Sequence, residues 1–259
     1  MRVFAYLLGA ACSAAFSAAF AAPGDYALIR GATFDSVLPD TPGGRKATVA
    51  TFRLQKVPVT NGEFLAFVSA HPEWQRGAAP SLVVDPQYLA SWSAPLVLGE
   101  ADASQPVTGV SWFAATAYCE AQGARLPRWH EWEWAAAADE TRPDARDDPA
   151  WRQRILRWYE RPAGKTLPAV GGQPANVHGV RDLHGLVWEW VEDFGAMMVG
   201  TDNRKAGDGD KMEFCGAAAL TMEQKENYAV MMRVAMLSSL EARYTTTTLG
   251  FRCAKDGSE

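Results

Sequence analysis

Apart from Met1, every methionine of this 259-residue chain falls between residues 197 and 236: Met197, Met198, Met212, Met222, Met231, Met232 and Met236. Cys215 lies among them. A thiolate with thioether donors is a soft ligand set that suits Cu(I), and a thiolate alone is a nucleophile open to oxidation. Cys215 is therefore the candidate catalytic residue. Cys215 with Met212, Met222, Met231 and Met232 is the candidate copper-ligand set. The competing account is packing, because Met fills irregular cores and Met231-Met232-x-x-x-Met236 could line a buried segment. The four histidines, His71, His130, His178 and His184, offer less: His178 and His184, the two nearest in sequence, have a poor zinc spacing.

Composition narrows the function classes. A net charge of −5 without a Lys/Arg cluster argues against a nucleic-acid or anionic-membrane partner. Ten Trp and 48% apolar residues supply a large aromatic core at this length. Arg2, an Ala-rich apolar stretch to Phe20, and Ala19-Phe20-Ala21 predict a signal peptide over residues 1–21, cut before Ala22. Cys12 is not expected to carry a lipid, since Gly9 stands where a lipobox Leu would. No later run approaches the ~20 apolar residues of a membrane span, so the expected mature chain, residues 22–259, is one soluble periplasmic or secreted domain. Loss of the signal leaves Cys119, Cys215 and Cys253, an odd number: one disulfide plus one thiol that is free, intermolecular or bound.

The elements that must position these residues are short. Residues 25–34 read as a strand entering a turn at Gly31, and residues 47–59 as a second β stretch. Thr60 and Glu63 form a capping box that opens a helix through Phe64–Val68. Residues 70–105 read as surface loop. A second helix runs from an N-cap at Ser111 to a stop at Gly123, and a third from Trp129 to Ala138. Residues 139–175 read as an insertion around an amphipathic piece, Trp151–Tyr159. Few long helices and much irregular chain imply an α+β domain.

Four ordered blocks then carry a resemblance. Residues 49–68 (VATFRLQKVPVTNGEFLAFV), 105–138 with PVTGVSW, Tyr118-Cys119 and RLPRWHEWE, 182–190 (DLHGLVWEW) and 249–253 (LGFRC) resemble the formylglycine-generating-enzyme, or sulfatase-modifying-factor, family. The resemblance implies a C-type-lectin-like fold. It also implies a disulfide between Cys119 and Cys253, which lie at the family's cross-linked positions. Ala136 and Val234 stand where a second family disulfide would be.

In copper-dependent members, two cysteines about five residues apart hold Cu(I), bind a substrate cysteine and use O₂ to oxidise it to formylglycine. Cys215 resembles the first of that pair. The second is absent, Leu220 or Ala229 standing in its place, so the sulfatase-type reaction is not expected. Glu189 matches a family calcium ligand, although the Asn beside it is Leu186 here. Members that oxidise sulfur in ergothioneine synthesis bind iron through histidines of an added helical domain, for which this chain has no matching segment. The expectation is an oxidative modification or maturation factor for an exported protein client or peptide segment, with copper and calcium as candidate cofactors. The alternative is a catalytically inactive binding or copper-delivery module serving a periplasmic metalloenzyme.

Overall fold

A Cβ at Gly31 would lie 2.5 Å from the Val49 carbonyl oxygen, so only glycine lets the two backbones approach here. The chain does not end its strand at this glycine, as expected, but resumes it: β1 (Tyr26–Ile29) is followed by β2 (Ala32–Asp35). The structure, a computed structural model, describes residues 25–38, 40–41, 44–160, 166–195 and 228–257. The second β stretch likewise divides into β3 (Lys46–Val49) and β4 (Phe52–Gln55). β4 is the centre of an antiparallel sheet, with Ile29 of β1 opposite Phe52 and Ala254 of β7 (Ala254–Asp256) opposite Leu54. β2 and β3 form a separate antiparallel ribbon, and β5 (Trp188–Glu189) lies parallel to β6 (Leu249–Gly250).

The helix signals are realised in detail. The Glu63 N–H donates to Thr60 Oγ1 at 3.2 Å and the Thr60 N–H to Glu63 Oε2 at 2.8 Å, opening α1 (Asn61–Ala70). Ser111 Oγ accepts from the Ala114 N–H at 3.1 Å to start α2 (Trp112–Ala121), and the chain leaves through Gly123 at φ +61°. α3 (Trp129–Ala136) buries Trp129, Trp132 and Trp134 and stops two residues before the expected end. α4 (Pro149–Tyr159) starts earlier than expected, because Asp148 accepts from the Ala150 N–H and proline's fixed φ suits the first helical position. α5 (Tyr228–Ser238) was not anticipated; Val230, Arg233, Val234 and Leu237 form its buried stripe at helical spacing.

One core joins the sheets to α1, α2, α3 and α5. Phe64, Tyr118 and Phe251 pack ring against ring at 5.4–6.0 Å, beside a buried disulfide that joins Cys119 of α2 to Cys253 across 134 residues. Closing so long a loop stabilises the fold by about 2–5 kcal/mol through the unfolded chain. Ala136 and Val234 are both buried in this core, so apolar packing occupies the places of the absent cross-link. Ala145, Trp151 and Ile155 make a small satellite cluster in the insertion. Among the described residues, no helix is long and apolar enough to cross a membrane. The expected signal peptide lies outside them.

Candidate functional site

β5 carries Glu189 into the centre of the core, where Arg252 meets it; both side chains are fully buried. Arg252 Nη2 donates to Glu189 Oε1 at 2.7 Å and Nε to Oε2 at 2.9 Å, and Trp132 Nε1 adds a third bond to Oε2 at 2.9 Å. Arg252 Nη1 and Nη2 also donate to the Gln55 and Arg181 carbonyls, at 3.1 and 3.0 Å. A buried ion pair is tolerated only when it is matched and hydrogen-bonded in this way. The carboxylate that family position matches to a calcium ligand is paired here with the Arg252 guanidinium. In this structure Glu189 is an ion-pair residue.

The same centre fixes α5. The Arg233 guanidinium lies 3.6 Å over the Trp132 ring and Arg233 Nη2 donates to the Glu189 carbonyl oxygen. Stacking a cation on an indole in a desolvated setting is favourable by about 2 kcal/mol. The methionines of α5 behave differently from one another: Met236 packs against the core, Met231 is half-buried and Met232 is 37% exposed. Core filling therefore accounts for Met236 and not for Met232. Cys215, Met212 and Met222, with Met197 and Met198, lie outside the described residues. Among those described, no group of three or more His, Cys, Asp or Glu is placed to hold a metal.

Residues 191–195 lead into the segment that carries Cys215. Trp112 Nε1 donates to the Val191 carbonyl at 3.0 Å, and the Phe194 ring lies 4.9 Å from Trp190 and 6.0 Å from Trp112. Asp193 accepts from the Trp129 N–H at 2.8 Å, placing a carboxylate at the α3 N-terminus, where the helix dipole favours negative charge. Burial nonetheless raises the Asp193 carboxyl above its ordinary range, with the Trp129 bond opposing. Asp193 was not singled out from sequence; its only mark there is a carboxylate three residues after Trp190.

His184 and His178 serve packing. His184 is enclosed by Trp132 and Trp151, each 5.8 Å away edge-on, and by Trp158 stacked at 6.2 Å. Its Nε2 lies 2.8 Å from the Ala136 carbonyl, which can only accept, so that nitrogen carries the proton. Burial pushes the imidazole down to about 4. His178 sits 6.3 Å from Trp134, and burial lowers it too.

Short strands and helices around irregular loops, tied by the Cys119–Cys253 bridge, define an α+β domain of C-type-lectin-like fold. Residues 18–257 match the sulfatase-modifying factor enzyme 1-like domain, and the chain belongs to that family. Similar proteins include the hercynine oxygenase of Mycobacterium tuberculosis, 34% identical over 161 residues, which are 55% of this chain and 38% of that one. The formylglycine-generating enzyme of Streptomyces coelicolor is 33% identical over 59% of this chain and 53% of its own. The chain thus spans between a third and just over half of the length of these two relatives. The inactive C-alpha-formylglycine-generating enzyme 2 of Bos taurus is 26% identical over 83% of each chain. The solved structure of PvdO from Pseudomonas aeruginosa shares the fold, with a TM-score of 0.50 and 17% identity over 90% of this chain and 95% of that one.

Proposed function

We propose that this chain is an exported oxidative modification or maturation factor for an exported protein client, with the Cys215 thiolate as its reacting group. The observation that carries this is the anchoring of the chain on either side of the Cys215 segment. Its approach is held by Trp112 and Trp129, and its return helix is held by Arg233 on the same Glu189 strand. Such anchoring fixes the described chain on both sides of the segment that carries Cys215.

Cu(I) suits the donor chemistry of Cys215 with Met212, Met222, Met231 and Met232, and Met232 is not consumed by packing. When bound, copper would supply O₂ activation. The chain's own part is to present the thiolate to a peptide, from a segment whose preceding residues Val191 and Phe194 are held by Trp112 and Trp190. The periplasm is the compartment in which such a factor, carrying a structural disulfide, would work.

A second account, a binding or copper-delivery accessory, is favoured by the missing second cysteine and by the near full-length similarity to a relative named as inactive. Titrating the reduced mature protein with Cu(I) against a competing chelator, beside Cys215→Ala, tests the metal. One-to-one binding lost in the variant supports it, and equal weak binding by both overturns it. Incubating the copper-loaded protein with a cysteine-containing peptide and O₂, then measuring mass, separates the two accounts: an oxidised peptide supports the factor, an unchanged one the accessory.

A further inference from the structure

The insertion helix α4 and the chain around residues 171–185 flank a small solvent-open cleft of about 40 Å³, lined by Trp151, Arg154, Trp158, Gln173, Asp182 and His184 among others. Two carboxylates at this cleft are already spent. Asp139 pairs with Arg142 at 2.5 Å, and Glu140 pairs with Arg154 at 2.8 Å.

Asp182 differs. It is only 3% exposed and accepts from the Gly171 and Gln173 N–H groups, yet no cationic side chain among the described residues pairs with it. Arg154 brings a complementary deficit. Its two terminal nitrogens bind Glu140, while its buried Nε has no acceptor. A carboxylate held by backbone N–H groups but without a cationic partner and a buried N–H without an acceptor thus line one cleft with Trp151 and Trp158.

We infer that this cleft binds a small organic cation, an alkyl guanidinium or ammonium that also carries an acceptor oxygen. The cation pairs with Asp182, the oxygen accepts from Arg154 Nε, and the methylene stem lies against the tryptophan walls. Calcium is a poorer occupant, because it takes six to eight oxygen ligands and one uncommitted carboxylate does not supply them. Such a ligand is available as a free amino acid or as a side chain of a protein. The site is independent of Cys215.

The mature full-length protein is titrated with L-arginine and with N-acetyl-L-arginine amide, following tryptophan fluorescence and the Gly171 and Gln173 amide resonances. Saturable shifts are expected with at least one of them and not with the matching citrulline compounds, which keep the shape and lose the charge. Binding of free arginine alone assigns a free amino acid, and binding of the capped amide assigns a protein side chain. Asp182 sits at φ +59°, a conformation that asparagine tolerates, so Asp182→Asn should fold and bind at least about tenfold more weakly. Cys215→Ala should bind as the unaltered protein does. Equal response to citrulline, unchanged affinity in a folded Asp182→Asn, no response to either arginine compound, or a response to Ca²⁺ alone would each overturn the inference. Should Asp182→Asn fail to fold, the citrulline comparison on the unaltered protein decides.

Discussion

Glu189–Arg252 and Glu140–Arg154 are the same chemical pair in two settings. The first is wholly buried, with every Arg252 nitrogen donating into the interior. The second is about 40% exposed and fastens the α4 insertion at the surface. Charge pairs of the first kind are expensive to break because they leave a bare charge in a dry core, whereas water replaces a lost partner in the second. The contrast shows where this fold is specified: in the joining of α3, β5 and the residues after β6, not in the insertion. His184 stands between the regions, on the core side but walled by two tryptophans of α4.

Breaking the inner pair should have the largest effect. Arg252→Met leaves Glu189 buried and unmatched, at a cost of about 3–5 kcal/mol in urea unfolding, and adding Glu189→Leu should recover much of it. A single variant as stable as the parent would show that the interior does not depend on the pair. Acid should act next, through His184. Its imidazole stays neutral in the fold down to about 4 but protonates near 6.5 in the unfolded chain, so the unfolded state takes up protons first. Stability that is complete above pH 6.5 should fall on the order of 2 kcal/mol by pH 4.5, and His184→Phe should flatten that limb of the pH profile. An unchanged slope in the variant would shift the acid sensitivity to the carboxylates. Smallest of all, Glu140→Gln should cost under about 1 kcal/mol in the same unfolding experiment. A larger loss would mean that α4 and the core unfold as one unit.

Local signals were the ones that sequence displayed well. The Thr60–Glu63 box, the Ser111 cap and the Gly123 stop each lie within a few residues, and the structure realises all three. Family position, rather than spacing, foretold the bridge between Cys119 and Cys253. Helix α5 escaped notice because its buried stripe contains Arg233, a charge that interrupts the apolar period, while the eye-catching methionines fall beside the stripe. The Glu189–Arg252 pair was not legible, because the partner lies 63 residues further on and no local pattern announces an ion pair at that distance. The start of α4 was legible in Asp148-Pro149, a cap followed by a first-turn proline, and was overlooked in favour of the amphipathic run after it.

The short stretch from Leu249 to Asp256 supplies a countercharge, a thiol partner and the outer strand beside β4, all to groups far upstream. A chain emerging N-terminus first must therefore wait. Until these residues follow, Glu189 has no arginine, Cys119 no partner and β4 one bare edge, so the nascent polypeptide is long, sticky and unable to lock. Folding of this domain is thus expected to close only after the residues from Leu249 to Asp256 have joined the chain.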